Sequence, residues 1–274
     1  ARLELPEKRP SSPSIEHSRL TRTEADVCDL HHVVPNWEAD VIVHLASVAI
    51  PKLYMDSPQT VISPNVFGTM RVCEYAERCG ARVIFTSTSE VYAGTLKYFD
   101  LPVPTPEQAA LSVTALDQPR TSYMLSKIFG EVMCQQSGVP FTIFRPHNLY
   151  GPRMGMAHVI PEQLQNIWEA GIRSKIGVYS VDHRRTFCYI DDAVEMLTRM
   201  LTNKISVGQT LNLGTEAPEV TIREVVEICI EVAKKNITIE ALPPTPGSPT
   251  RRAPKMGLTK QLLNYESKTC LRYN

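Results

Sequence analysis

The sequence predicts a doubly wound α/β fold, in which helices cover both faces of a parallel sheet. Short apolar runs rich in β-branched and aromatic residues recur along the first half of the chain. Such continuous runs are typical of strands that are buried on both faces. Amphipathic stretches lie between them, and this alternation favours a parallel sheet. The predicted strands of this part are 41–46, 82–87 and 141–145.

Two helices are predicted between these strands. The segment 66–79 carries apolar residues near a 3.6-residue spacing, and Gly80 follows it, a residue type that commonly ends helices. The second predicted helix covers 121–136. Residues 1–24 are polar and rich in proline and serine, which predicts a loop.

Beyond residue 150 the pattern indicates a smaller α/β unit. We therefore expect a nucleotide-binding domain over 1–150 and a substrate-binding cap over 151–274, with some strands and helices returning to the first domain. Thr221 and Glu224 have the spacing of a capping box at a helix start. The predicted helices are 158–170, 191–202 and 221–235, and the predicted strands are 176–180, 185–190, 209–213 and 237–241.

Composition argues against several classes of partner. The 29 Lys and Arg residues balance 29 Asp and Glu residues, so we expect neither nucleic acid nor an anionic membrane surface as a partner. No apolar run reaches the roughly 20 residues that span a bilayer, and the N-terminus lacks a signal-like apolar core. The seven cysteines have no metal-ligand spacing. These features predict a cytoplasmic protein with reduced thiols and no metal.

A Gly-rich phosphate turn, GxGxxG or GxxGxxG, normally follows the first strand of a dinucleotide-binding fold. The sequence contains no such turn, and its first glycine is Gly68. We therefore expect the βαβ portion that carries this turn to be absent from the numbered chain.

Tyr123 and Lys127 form a YxxxK pair, whose spacing brings both residues to one helix face. A nearby ammonium favours a phenolate and would lower the pKa of the tyrosine from its ordinary value of about 10. Tyr123 would then be a base that removes the proton of an alcohol during its oxidation. On its own, the pair is a weak signal, and a solvated helix face is the favoured interpretation.

Hydroxyl-bearing residues follow the predicted strand 82–87, within the segment 85–92. Ligands bind at the carboxyl ends of strands in open α/β sheets, so these hydroxyls are candidates for a site. A strand that simply ends in a polar turn is the alternative. Asn65 is a candidate helix cap.

In their order and approximate spacing, these motifs resemble the extended short-chain dehydrogenase/reductase family, whose members modify nucleotide sugars. The resemblance covers roughly residues 25–265 and implies a Rossmann-like fold. It is carried by His44-Leu-Ala-Ser47, Asn65-x-x-Gly68-Thr69, Ser87-Thr-Ser-Glu-Val-Tyr92, Tyr123-x-x-x-Lys127, Arg145-Pro-His-Asn148, Tyr150-Gly-Pro152, Arg185-Thr-Phe-Cys-Tyr-Ile-Asp-Asp192 and Leu211-Asn-Leu-Gly214.

The resemblance implies NAD as the cofactor and a nucleotide-diphosphate sugar, first of all a UDP-sugar, as the substrate. The implied reaction starts with oxidation of the sugar C4 to a ketone. The implied catalytic residues are Thr88, Glu90, Tyr123 and Lys127. The implied cofactor-binding residues are Asp29, Leu30, Leu45, Ala46, Ser47, Ser87, Tyr123 and Lys127. The implied substrate-binding residues are Asn65, Ser89, Asn148, Arg153, His158, Val159, Tyr179, Arg185 and Arg252.

Some of these residues have implied partners. Asp29 and Leu30 match the position that meets adenine, and Thr88 matches the hydroxyl beside the sugar 4-OH. Asn148 and Arg185 match positions that hold the diphosphate, and an Arg fork suits that task. The segments matched to the nucleotide base contain His158, Val159 and Tyr179.

The residues after Thr88 bear on the class of reaction. Thr88-Ser89-Glu90 lacks the Asp with which the similar 4,6-dehydratases protonate a departing hydroxyl. Thr-Ser-Glu-Val-Tyr instead resembles the UDP-glucuronate decarboxylases, in which a 4-keto group lies β to the C6 carboxylate. A nucleotide-sugar 4-epimerase is the main alternative, followed by a 4,6-dehydratase and by a module that binds a nucleotide without turnover.

Glu90 separates the first two alternatives. Two residues after Thr88, it would share a strand face with that hydroxyl. A partly buried carboxyl with a raised pKa would move a proton at neutral pH, as the step after oxidation requires. The alternative is that Glu90 only forms a salt bridge with an arginine.

The resemblance also implies a homodimer with a four-helix interface, built from the helix after Asn65 and the helix that carries Tyr123. Apolar Met124, Ile128 and Val132 lie at i, i+4 and i+8 and predict the seam. The alternative is that this stripe faces only the core of its own chain.

Overall fold

The computed structural model describes residues 19–33, 38–99, 101–171 and 174–271, so residues 1–18 of the predicted N-terminal loop lie outside the described residues. The strands are β1 (Val41–His44), β2 (Arg82–Thr86), β3 (Phe141–Pro146), β4 (Leu149–Tyr150), β5 (Lys175–Tyr179), β6 (Arg184–Arg185), β7 (Cys188–Tyr189), β8 (Gln209–Leu213), β9 (Val220–Thr221), β10 (Thr238–Leu242) and β11 (Arg251–Arg252). The α-helices are α1 (Leu30–Val33), α2 (Pro51–Asp56), α3 (Gly68–Cys79), α4 (Ala93–Tyr98), α5 (Pro119–Gln136), α6 (Val159–Glu169), α7 (Ile190–Thr202), α8 (Ile222–Ala233) and α9 (Gly257–Leu263).

A parallel sheet in the order β1-β2-β3-β8 forms the centre of the fold. Side chains alternate along β2, so that Val83 and Phe85 pack with α3 and α5 while Ile84 packs with α7 and α9. Both faces of the sheet are therefore buried, which explains the continuous apolar runs of its strands. The predicted doubly wound α/β fold is confirmed.

Local signals place the helix ends. Gly80 ends α3 with a left-handed φ of 68°, a conformation that glycine adopts without steric cost. Thr221 and Glu224 form the predicted capping box at the start of α8. Pro119 is the first residue of α5, where its fixed φ suits a helix start, so α5 begins two residues before the predicted boundary.

The C-terminal part contains three small sheets, formed by β5 with β10, by β6 with β9 and β11, and by β4 with β7. Helices α6 and α8 pack on a second core around Ile167, Val178 and Val226. The predicted strand 185–190 is wrong as one element, because β6 and β7 are separate and join different sheets. Strand β8 returns to the main sheet beside β3. The division of the chain at residue 150 stays a prediction.

Candidate functional site at the carboxyl edge of the sheet

Thr88 caps a short turn and is not part of strand β2. Strand β2 ends at Thr86, and Thr88 caps the 3₁₀ turn Ser89–Tyr92 by accepting a hydrogen bond from the backbone N–H of Glu90 at 3.2 Å. The prediction that Thr88 and Glu90 share a strand face is therefore wrong. The turn nevertheless holds both side chains at the carboxyl edge of the sheet, where ligands bind in this architecture.

Tyr123 lies beside Thr88 in a buried position on α5. Its ring stacks on the ring of Tyr54, with centroids 4.8 Å apart and an interplanar angle of 6°. Burial raises the pKa of Tyr123 above its ordinary value, although the hydroxyls of Thr88 and Ser47 act in the opposite direction. The predicted lowering of this pKa is wrong, because desolvation of the phenolate outweighs the favourable contacts.

Lys127 is buried one helical turn after Tyr123. Its Nζ donates to the carbonyl oxygen of Thr86 at 2.8 Å and lies 5.1 Å from the centre of the Phe85 ring. Burial lowers the pKa of Lys127 to about 8. The ammonium is thus anchored to the end of β2, at the edge that also carries Thr88.

Asn65 does not cap a helix. It is fully buried within the π-helical turn Ser63–Phe67, and the residue before α3 is Phe67. Its side chain accepts from Ser47 Oγ at 2.7 Å and donates to Ser126 Oγ at 2.9 Å. Asn65 therefore ties the segment after β1 to helix α5, behind Tyr123.

Glu90 is surrounded by arginines. Its Oε1 lies 2.7 Å from Arg252 Nη1 and 3.9 Å from Arg120 Nη2. Burial opposes ionisation, but Arg252 and Arg120 outweigh it and lower the pKa of Glu90. The predicted raised pKa is therefore wrong, and the carboxylate is ionised at neutral pH. Arg252 also donates to Ser89 Oγ at 3.3 Å.

The cluster of Glu90, Arg120 and Arg252 has unused hydrogen-bonding capacity. The Nε atoms of Arg120 and Arg252 are buried and have no hydrogen-bond partner among the described residues. Two guanidinium groups face one carboxylate, so the cluster carries an excess of positive charge. An anionic group is the ligand that such an arrangement favours. Arg120 lies three residues before Tyr123 and is not among the predicted site residues, although Pro119-Arg120 shares the resemblance to the decarboxylases.

A cavity of about 320 Å³ lies between α6, β5 and β6, and its lining includes Asn148, Val159, Tyr179 and Arg185. The Arg185 guanidinium donates to the Pro249 carbonyl at 2.7 Å and to Ser248 Oγ at 2.9 Å. Burial, together with nearby Arg252, lowers its pKa to about 9. Four of the predicted substrate-binding residues are thus brought together around one cavity.

Other predicted site residues lie at different places. His158 is half-buried and precedes the first residue of α6, whereas Arg153 is exposed and lines a separate, mostly apolar cavity of about 410 Å³. Leu45 and Ala46 are exposed just beyond the end of β1. Asp29 is exposed at the N-terminal side of α1, whose first residue Leu30 packs on the core beneath α3.

Ser87 belongs to a buried polar network that the sequence did not reveal. Its hydroxyl donates to Glu131, which is held by Arg145 through N–O distances of 2.6 and 2.9 Å. Arg145 also donates to the hydroxyl of Tyr92 at 2.7 Å. The ion pair of Arg145 and Glu131 connects the ends of β2 and β3 to α5. Breaking this pair would leave one charge buried and unpaired, which is strongly destabilising. The sequence signal for Glu131 was its position four residues after Lys127, which places both residues on one helix face.

The family of the chain follows from its sequence match. The profile of the NAD-dependent epimerase/dehydratase family matches residues 4–214, which is more than half of the chain. The chain belongs to this family. The UDP-glucuronic acid decarboxylase 6 of Arabidopsis thaliana, a similar protein, is 33% identical over 270 residues, covering 94% of this chain and 73% of that protein.

Solved structures share the fold of this epimerase/dehydratase family member. The UDP-glucose 4-epimerase of Thermotoga maritima, solved with UDP-glucose, has a TM-score of 0.78 at 20% identity. The match covers 91% of this chain and 80% of the epimerase chain. The enzyme WbmG of Bordetella bronchiseptica, solved with NAD and UDP, has a TM-score of 0.75 at 20% identity, with coverages of 90% and 75%. The prediction of an NAD-dependent enzyme of this family is confirmed.

The carboxyl edge of the sheet fits the family's cofactor. The buried Oγ1 of Thr86 has no hydrogen-bond partner among the described residues, and Lys127 is anchored to the same residue. Leu45 and Ala46 offer exposed surface past β1, and Ser47 follows them. These donors, acceptors and apolar groups suit a dinucleotide. Within the described ranges, no group of three or more His, Cys, Asp or Glu residues could hold a metal ion.

Proposed function

We propose that this family member decarboxylates a UDP-linked uronic acid, such as UDP-glucuronate, to a UDP-pentose and CO₂. The observation that carries the proposal is the cluster of Glu90, Arg120 and Arg252, next to Thr88 and Tyr123. Its excess positive charge suits a sugar carboxylate, whereas a neutral hexose would leave the charge unused. The identity of 33% to a UDP-glucuronic acid decarboxylase supports the same substrate.

The first step oxidises the alcohol at C4. Tyr123 is the base that takes the hydroxyl proton, and Thr88 hydrogen-bonds the same oxygen. When bound, NAD supplies the acceptor for the hydride from C4 and adds the positive charge of its ring. Lys127 contributes a further positive charge that favours the phenolate. Leu45, Ala46, Ser47 and Lys127 would hold the cofactor, with Asp29 and Leu30 toward its adenine.

The second step breaks the bond between C5 and C6. The 4-keto group withdraws the electron pair of this bond, CO₂ leaves, and an enolate remains across C4 and C5. Thr88 and Tyr123 stabilise the enolate oxygen by hydrogen bonding. A proton from water then adds to C5, which restores the 4-ketone. Tyr123 returns its proton to the C4 oxygen when this ketone is reduced, and bound NAD would give back the hydride that it had accepted. Because Glu90 is ionised, we assign it the role of positioning Arg252 and Arg120 around the substrate carboxylate.

Product mass tests the proposed function. The protein, supplied with NAD, is incubated with UDP-glucuronate and the products are measured by mass spectrometry. We expect a product that has lost the mass of CO₂. An unchanged mass with altered stereochemistry would instead assign a 4-epimerase, and loss of the mass of water would assign a dehydratase.

We propose that two copies pair through α3 and α5, with a seam that differs from the predicted one. Met124 is buried within its own chain, so the predicted set of Met124, Ile128 and Val132 is wrong in that member. The exposed apolar side chains of α5 are instead Leu125, Phe129 and Val132, at i, i+4 and i+7. A second copy with the same stripe would cover them.

Phe129→Asp is therefore expected to turn the dimer into a monomer, because it places two carboxylates in an apolar interface. Light scattering at micromolar concentration measures the change. Val194→Asp is the matched control, since Val194 is similarly exposed on α7, away from the stripe. A wild-type protein that is monomeric at this concentration would contradict the proposed dimer.

We also propose a cytoplasmic location without a nucleic-acid or membrane partner. The balanced charge and the seven free cysteines, four of them buried, support this location. Among the described residues, the helices are too short or too polar to cross a bilayer.

A further inference from the structure

The buried face of helix α6 carries one polar side chain. Val159, Gln163 and Ile167 lie at i, i+4 and i+8, and Ile167 is fully buried in the core between α6 and α8. Gln163 is only 5% exposed at the middle of this stripe. An apolar residue is the usual occupant of such a position, because burying an amide is costly unless it forms hydrogen bonds.

Gln163 faces the 320 Å³ cavity with an unused acceptor. Its Oε1 is buried and has no hydrogen-bond partner among the described residues. The same cavity is lined by the apolar side chains of Val178 and Phe187 and by the cationic Arg185. The cavity therefore combines apolar side chains, the cationic Arg185 and the unsatisfied amide of Gln163, which are groups that a nucleotide can use. Its lining also includes the acidic Glu162 and His183, whose buried Nδ1 has no hydrogen-bond partner among the described residues.

We infer that Gln163 determines the specificity of the nucleotide cavity by reading the imide edge of uracil. The uracil N3–H donates to Oε1, and the side-chain amide N–H donates to the adjacent carbonyl oxygen of the base. Arg185 takes the diphosphate, and Val178 and Phe187 form the walls around the ring. This inference rests on the proposed function, because it assumes that the ligand of this cavity is the nucleotide of a UDP-sugar.

The cavity selects ligands that carry a hydrogen-bond donor opposite Gln163 Oε1. A ring without an N–H at this place leaves Oε1 buried and unpaired, and a site built for a hydrogen bond rejects such an analogue. N3-methyl-UDP is the matched probe, since it differs from UDP only at the donor. Gln163→Leu is the matched variant, because it removes the acceptor and keeps a side chain of similar size.

Isothermal titration of the full chain with UDP and with N3-methyl-UDP tests the inference. We expect the wild-type protein to bind UDP at least about tenfold more tightly than N3-methyl-UDP. In Gln163→Leu the affinity for UDP should fall to that for the methylated nucleotide, so that the preference disappears. Gln163→Met should behave in the same way, and it provides the test if the leucine variant does not fold.

Gln165→Leu is the control. Gln165 lies on the same helix but is exposed and donates to Glu169 at 2.8 Å, so its removal should leave both affinities and the preference unchanged. A preference for UDP that survives in Gln163→Leu or Gln163→Met would overturn the inference and leave the proposed function standing. A wild-type chain that binds neither nucleotide would overturn both.

Discussion

Tyr123→Phe is expected to lower turnover by about two orders of magnitude or more, because it removes the group that accepts the C4 hydroxyl proton. The stacking of ring 123 on Tyr54 does not need the phenol oxygen, so the fold should persist. Steady-state kinetics with UDP-glucuronate measure the loss, and circular dichroism checks the fold. Lys127→Ala should be comparably damaging, since it removes the charge that favours the phenolate.

Tyr98→Phe is the control for the loss of a phenol. Tyr98 is half exposed at the end of α4, and its variant should retain wild-type turnover. Burial raises the pKa of Tyr123, so its phenol is protonated at neutral pH. Activity through this base should therefore rise with pH until the phenol of the complex is ionised. Near-normal turnover of Tyr123→Phe would exclude Tyr123 as the base.

Glu90→Gln is expected to stop the reaction after oxidation. The variant removes the negative charge that holds Arg252 at 2.7 Å and Arg120 at 3.9 Å, while Thr88, Tyr123 and Lys127 stay in place. Formation of CO₂ should fall by about a hundredfold. A mixture quenched with cold methanol at neutral pH should still contain a nucleotide sugar that is lighter than the substrate by two hydrogen atoms, which mass spectrometry detects.

Glu195→Gln is a matched control, because Glu195 pairs with Arg199 at 2.6 Å in a more exposed position on α7. Its turnover should equal that of the wild type. The pKa of Glu90 is lowered, so its carboxylate stays ionised at neutral and mildly acidic pH. The contribution of Glu90 to CO₂ release should therefore not change between pH 5 and 8. Normal CO₂ release by Glu90→Gln would make this residue a structural one and would favour the 4-epimerase.

The central fold was predictable because its signals are local. Strands β1, β2 and β3 coincide with apolar runs, and Gly80 and the capping box at Thr221 place helix ends. The division of 185–190 into two strands depends instead on which strands pair with β6 and β7. Such pairing brings together residues far apart in the sequence, so a local sequence pattern does not predict it.

The site was predictable in its members and not in their surroundings. The YxxxK spacing correctly put Tyr123 and Lys127 one turn apart on α5, but it says nothing about how deeply the phenol is buried. Desolvation therefore reversed the predicted direction of its pKa. The same limit applies to Glu90, whose partner Arg252 is 162 residues away in the sequence. Gln163 belongs to none of the sequence motifs, because its proposed role depends on the cavity that it faces.

Deuterium incorporation tests the central claim, that C4 oxidation is followed by loss of CO₂ and protonation at C5. The reaction of the wild-type protein with UDP-glucuronate is run in D₂O, and the isolated nucleotide sugar is examined by mass spectrometry and proton NMR. We predict a product without the carboxyl carbon and with one non-exchangeable deuterium, located at C5. A product that keeps its carboxylate and carries no deuterium at C5 would contradict the claim.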